Sequence, residues 1–174
     1  IRKAFVPSRP GGVIMSADYS QIELRIMAHL SCDTHLINAF RKGQDVHAIT
    51  AAKVFGIQAE DVTADQRRIA KTANFGIMYG MSAFRLSNEL GISRSEASEF
   101  IKTYFDRYRG VRNFVEKTNK SAAELGYVKT EFGHIRDIIG INSSNKTEKA
   151  GAERVAVNTV IQGTAAEIMK KAMI

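Results

Sequence analysis

Gln66-Arg-Arg-Ile-Ala-Lys-Thr-Ala-Asn-Phe-Gly-Ile-Met-Tyr-Gly80 decides how this chain is read. Within it Arg67, Lys71, Phe75 and Tyr79 recur at a spacing of four. In an α-helix each such step advances about 400°, so successive members drift only about 40° around the axis. Two fixed cations therefore share a stripe with two flat rings, and the cations come first. Such a helix can offer charge to phosphates and an aromatic face to a base, a stacking contact worth about 1–3 kcal/mol. Lys71 brings a compact charge, whereas Arg67 can engage two oxygens at once. The same residues also suit an amphipathic helix with Arg67, Arg68 and Lys71 in solvent and Phe75 and Tyr79 in the core, although such helices normally separate the two classes. Gly76 and Gly80 follow the rings, where they allow close approach of another segment or end the helix.

Outward from this stretch, the pattern is helical. Thr63-Ala-Asp-Gln66 has the form of a capping box that opens the striped helix. Ser20-Gln-Ile-Glu23 has the same form and predicts a helix to about Leu30. Asp33 and Asp45 are placed to cap the next two helices, the latter ending at Gly56. Ser82 predicts a helix to Gly91, and Ser93-Arg-Ser-Glu96 another toward Tyr108. Gly110 is expected to interrupt before a helix that runs to Gly126. Tyr127 to Thr130 and Ile135 to Ile141, around Gly133, predict a hairpin. From about Thr147 the helical pattern resumes, with a notch expected at Gly163, and continues to the end. Near the start, Pro7 and Pro10 bracket a turn before Gly11-Gly12, and Val13-Ile-Met-Ser-Ala-Asp18 predicts a short, largely buried strand. The expected class is mixed α/β, predominantly α-helical, with strands at both flanks.

Composition narrows the partners. Among 174 residues, 44% are hydrophobic, enough for a core, and 25 Lys plus Arg against 18 Asp plus Glu give a net charge of +7. That excess favours a polyanion through phosphate neutralisation. Cys32 is the single cysteine, which excludes an intramolecular disulfide and a cysteine-rich zinc site, and it fits a reducing cytoplasm. Val13-Ile14-Met15 is too short for a signal-peptide core or a membrane span. No Gly-x-x-x-x-Gly-Lys-Ser/Thr loop occurs, which disfavours a P-loop NTPase. The chain starts at Ile1 and ends at Ile174 inside a helical pattern, so it is read as an excerpt.

Candidate chemistry begins at Asp18. A carboxylate at the end of a strand can face the crevice beyond it, where Mg²⁺ finds oxygen ligands, but an Asp there can also simply make a turn. Glu23 has a sufficient local role as the partner of Ser20 in a capping box. Arg154, Asn158 and Gln162 form a second stripe at a spacing of four among Val155, Val157, Val160 and Ile161. They can read base edges in a minor groove or form a solvated face. His47 is a lone histidine near a helix start, suited to structural duty or exposure, and His29, His35 and His134 lack metal-site spacing.

Asp18-Tyr-Ser-Gln-Ile-Glu-Leu-Arg25 and Arg67-x-x-x-Lys71-x-x-x-Phe75-Gly-x-x-Tyr79-Gly80 closely resemble two defining motifs of the family A DNA polymerases. Ile1 to Phe5, Asp45-Val-His47, Arg94 to Arg109 and Gln162-Gly-Thr-Ala-Ala166 are similar as well, so the likeness spans essentially the whole chain. The resemblance implies a helical fingers subdomain at 31–126. Part of the palm, with the strand and helix carrying the first catalytic aspartate, is implied at 1–30. A hairpin and helices returning to the palm are implied at 127–174, leaving the palm's antiparallel sheet incomplete. Asp18 matches that first catalytic aspartate, a ligand of two Mg²⁺ ions in the complete enzyme, with Tyr19 beside it at the metal and dNTP site. Gln21 falls in the same motif and is expected at the dNTP. Glu23 matches the gate that rejects a ribose 2′-hydroxyl. Arg67 and Lys71 match triphosphate contacts, and Phe75 matches a ring near the incoming sugar and base that is associated with discrimination against dideoxynucleotides. Tyr79 matches the ring that stacks at the insertion site, and His47 a contact to the incoming nucleotide. Arg154 and Gln162 match residues that probe the minor groove near the primer terminus, with Asn158 between them.

The implied function is primer extension from dNTPs on primer-template DNA, in repair and replication, by a bacterial, cytoplasmic, nucleoid-associated monomer with no membrane attachment. A non-catalytic nucleic-acid-binding helical module is the alternative. The family's second catalytic aspartate lies in a His-Asp-Glu triplet that does not occur here, so this chain by itself is expected to lack useful polymerase activity. Gly133-His134-Ile135-Arg136 stands where relatives commonly carry Gly-Arg-Arg, which removes charge that the hairpin would present to DNA.

Overall fold

The caps in the middle of the chain each start a helix. The computed structural model describes residues 2–174; Ile1, which opens one of the similar strings, lies outside them. The described residues form α1 (Ile22–Ser31), α2 (Thr34–Arg41), α3 (Val46–Phe55), α4 (Ala64–Met78), α5 (Ala83–Leu90), α6 (Arg94–Arg107), α7 (Arg109–Leu125), β1 (Tyr127–Lys129), β2 (Ile135–Asp137) and α8 (Lys146–Ala172). The Asp33 carboxylate accepts from the His35 and Leu36 amides, and Asp45 accepts from His47 and Ala48. Thr63 with Gln66, and Ser93 with Glu96, close reciprocal boxes, while Ser82 accepts from the Arg85 amide. Each cap satisfies amides that a helix start leaves without partners, typically worth about 1 kcal/mol. Gly56, Gly91 and Gly126 end α3, α5 and α7 in the left-handed conformation.

The apolar faces meet around α1. Leu24 and Met27 are fully buried there with Leu36 of α2, Ile77 and Met78 of α4, Leu86 of α5, Val111 of α7 and Ile161 of α8. A smaller cluster of Ala122, Val128, Ile138, Ile141, Ala152, Ala156 and Val160 lies between α7, the hairpin and α8. In the antiparallel hairpin Tyr127 pairs with Asp137, Val128 with Arg136 and Lys129 with Ile135. β2 is shorter than the expected Ile135 to Ile141 stretch because its partner runs out: the Ile138 amide donates to the carbonyl of Gly126, the residue that ends α7, and Ile138 and Ile141 are buried in that cluster.

Four local expectations are corrected. Val13 to Asp18 is not a strand; it is an exposed segment, with Val13 89% and Met15 88% accessible. A strand exists only by pairing, and among the described residues no other strand lies beside it. Ser20 does not cap α1. Gln21 precedes the helix at φ 55°, without a side-chain cap, and Glu23 turns toward Tyr79. Gly110 does not interrupt. The break is at Tyr108, whose buried ring packs 4.9 Å from that of Tyr104, and Gly110 sits inside α7. A Cβ at Gly110 would stand 2.8 Å from the Ser31 carbonyl oxygen, so the glycine permits close packing. Gly163 makes no notch in α8. Its missing side chain admits Thr130, whose Cγ2 would lie 2.6 Å from a Cβ.

Candidate functional site

α4, α5 and α8 enclose an open cleft of about 1110 Å³. Lys71, Phe75, Tyr79, Arg85, Arg154 and Asn158 are among its walls. The cations at its surface are Arg68, Lys71, Arg85 and Arg154, against the single carboxylate of Glu89. Arg85 stands 3.7 Å from Glu89 and Arg68 3.4 Å from Asp65, both exposed pairs that restrain their charges weakly. Among the described residues Lys71 and Arg154 have no ion-pair partner. The cleft is therefore positive on both the α4 and the α8 side.

The two rings of the stripe serve core and cleft together. Phe75 and Tyr79 are half-buried against the main core, with centroids 6.5 Å apart, and both line the cleft. Tyr79 follows the last residue of α4, and Gly80 turns the chain at φ 73°. A Cβ at Gly80 would meet Arg154 Cγ at 2.8 Å, so this glycine lets the α8 arginine lie close to the end of α4. The Asn158 Oδ1 is buried without a hydrogen-bond partner among the described residues.

Behind this wall Glu23, Gln162 and His47 meet the rings. The Tyr79 hydroxyl donates to the Glu23 carboxylate. Burial, then the hydrogen bond to Glu23 and that residue's charge, pushes the Tyr79 phenol well above its ordinary value, and Gln162 beside the hydroxyl opposes this. Glu23, Tyr79 and Gln162 are thus brought together from α1, α4 and α8. His47 is 2% exposed, with Nδ1 3.0 Å from Asn74 Nδ2 and its ring centroid 5.9 Å from that of Phe75. Burial lowers the His47 pKa, Asp45 opposes the shift, and Arg67 and Lys71 reinforce it.

Arg67 diverges from the stripe. Its Nε donates to Asp45 at 2.5 Å, and it is not a wall of the cleft. Burial alone would raise the Asp45 pKa, but Arg67 and the Ala48 and His47 amides outweigh it and hold the carboxyl below its usual value. Gln21 borders a separate recess with Arg25, Phe40 and Asp45. Asp18 and Tyr19 lie on the exposed segment and do not line the cleft. No group of three or more His, Cys, Asp or Glu able to hold a metal occurs among the described residues. In the hairpin Arg136 donates to the Thr159 hydroxyl at 3.1 Å, while His134 and Ile135 are exposed.

Arg85 and Asn74 were not singled out from the sequence. Arg85 could have been found, because it stands three residues after the Ser82 cap, in the first turn of α5. Asn74 carries no sequence signal that it meets His47.

The sequence profile of DNA polymerase family A matches residues 1–174. DNA polymerase I of Streptococcus pneumoniae is 53% identical over 175 residues, spanning 100% of this chain and 20% of that protein. DNA polymerase I of Pseudomonas aeruginosa is 53% identical over 174 residues, spanning 100% of this chain and 19% of that protein. The POL domain of Pol1 from M. smegmatis, solved in complex with DNA primer-template and dNTP, matches with a TM-score of 0.84 and 44% identity over 90% of this chain and 28% of that one. The chain spans about a fifth of the length of these curated relatives. Among the described residues no helix is long and apolar enough to cross a membrane.

Proposed function

Because the chain belongs to DNA polymerase family A, we propose that it is the nucleotide-selecting part of a DNA-directed DNA polymerase that extends a primer from dNTPs in repair and replication. One observation carries this reading: Lys71 and Arg154, without ion-pair partners, face a cleft walled by the rings of Phe75 and Tyr79. A triphosphate needs cations that are not already spent on carboxylates, and a base needs a flat apolar surface next to them.

In this reading Lys71 holds the triphosphate. Tyr79 stacks at the insertion site, and Phe75 packs near the sugar. Glu23, tied to the Tyr79 hydroxyl, forms the gate against a 2′-hydroxyl. Arg67 is tied to Asp45 through Nε, which leaves its Nη donors for the triphosphate. His47 acts through Phe75, because its own ring is buried. Arg154, Asn158 and Gln162 contact the minor groove of primer-template DNA. Residues 31–126 form the fingers, 1–30 are part of the palm, and 127–174 are a hairpin and helices returning to it.

Asp18 and Tyr19 are the proposed ligands of Mg²⁺, which would supply activation of the primer hydroxyl and neutralisation of the departing phosphates. One exposed carboxylate is not a complete site for a pair of ions.

The test is single-nucleotide incorporation by a polymerase that carries this segment. Lys71→Ala is expected to lower kcat/KM for dNTP by about tenfold or more, equivalent to at least about 1.4 kcal/mol of transition-state stabilisation. Duplex affinity should stay within about twofold, since duplex contacts are spread over many phosphates. Unchanged incorporation would overturn the assignment.

A further inference from the structure

Away from the cleft, two smaller cavities share the side chains of Lys53 and Arg107. One, of about 480 Å³, lies between α3 and α6 and is walled by Val54, Phe55, Ile92, Phe100, Tyr104 and Tyr108. The other, of about 400 Å³, has Lys53, Arg107, Arg109 and His35 around it. Neither has a residue in common with the cleft of Lys71 and Tyr79.

The charge in the smaller cavity is unbalanced. Its two carboxylates are already engaged. Asp33 accepts from the His35, Leu36 and Gly110 amides, and Asp106 pairs with Arg112 at 3.0 Å. Lys53, Arg107 and Arg109 have no ion-pair partner among the described residues, and the Arg107 Nε is buried with no acceptor. Arg109 also opens α7, whose first turn contains no acidic residue, so this charge adds to the positive end of a 17-residue helix. Lys53 and Arg109 are exposed, so their charges are free to meet an anion, and the Arg107 Nε still has a donor to give. Next to them, Phe55 is 40% exposed, and the Arg107 guanidinium lies 5.6 Å from the centre of the Tyr108 ring. Glu96, held by Ser93, and the exposed Glu99 also line the apolar cavity, but they stand in the first half of α6, whereas Arg107 is its last residue.

We propose that this face is a second nucleotide site: Lys53, Arg107 and Arg109 take a phosphate, and the aromatic cavity between α3 and α6 takes the base attached to it. The ligand is a nucleoside phosphate, either free or as one unit of a single strand. The site does not depend on the polymerase reading, because none of its residues belongs to the proposed machinery.

Titrating dTMP, and separately a (dT)₁₂ strand, into the ¹⁵N-labelled chain maps the site without mutation. Shifts are expected at Lys53, Phe55, Tyr104, Arg107 and Arg109. Shifts confined to α4, α5 and α8 would overturn the proposal. A response to dTMP assigns the site to free nucleotides, and a response to the strand alone assigns it to a nucleotide within a chain. Inorganic phosphate reproducing every shift would remove the base cavity from the site and overturn the proposal as stated. Lys53→Glu/Arg109→Glu alters two exposed side chains without ion pairs. It is expected to weaken binding on this face about tenfold and to make the salt slope for (dT)₁₂ shallower by about one. Lys71→Ala/Arg154→Ala should leave the mapped shifts in place. Equal affinity of the charge-reversed and unmodified chains on this face would contradict the proposal.

Discussion

His47 carries a pH dependence that follows from its burial. Its folded pKa lies below the ordinary value of 6.5, chiefly because burial disfavours the charged ring. The unfolded chain therefore takes up a proton that the folded chain resists. The contribution to stability is complete above about pH 6.5 and declines as pH falls toward the folded value. Thermal melts should give a lower Tm near about pH 5.5 than near about pH 7.5, and His47→Gln should flatten that interval. An unaltered slope in the variant would contradict the assignment. Asp45 acts in a separate window. Its depressed pKa stabilises above the carboxylate's ordinary 3.8, and that contribution is lost at lower pH. As a lone histidine at a helix start, His47 offered no clue to its burial, because its hydrogen-bond partner Asn74 is 27 residues further along the chain.

Elements defined by neighbouring residues were legible, and those defined by distant ones were not. Thr63 and Gln66 close their capping box within one turn, so four residues of sequence contain the whole interaction. Thr63→Ala should cost about 1 kcal/mol, read as a shift in the urea midpoint, and no shift would mean that the cap is dispensable. The strand expected at Val13 to Asp18 had the right residues, but pairing depends on a partner that local sequence does not specify. Gly163 is a similar case. Its role depends on Thr130 in the connection after β1, and helix propensity alone would recommend a larger residue. Gly163→Ala should therefore destabilise by about 1–3 kcal/mol through overpacking. Thr130→Ser in the same chain removes the opposing methyl and retains the hydroxyl that accepts from the His134 amide. A double-mutant cycle should recover most of the loss; a strictly additive result would contradict the close contact.

Across the whole molecule, charge and shape converge on the cleft of α4, α5 and α8. Part of that convergence was written in one helix, since a spacing of four placed Lys71, Phe75 and Tyr79 on one wall. The opposite wall came from α8, whose stripe could equally have been a solvated face until the fold set Arg154 against Gly80. Arg67 shows the limit of periodicity. It has the right azimuth, yet Asp45 on a different element claims its guanidinium. Asp18 and Tyr19 remain on an exposed segment outside the cleft, so their proposed role depends on an arrangement wider than these helices. The central claim is that one helix holds a dNTP with Lys71 at its phosphates and Phe75 and Tyr79 at its base. Photo-crosslinking of 8-azido-dATP to a polymerase carrying this segment, bound to primer-template, tests it most directly. The account predicts an adduct on the Phe75–Tyr79 end of α4 that is lost in Lys71→Ala. An adduct there that persists undiminished in the variant, or labelling that avoids α4 altogether, would contradict it.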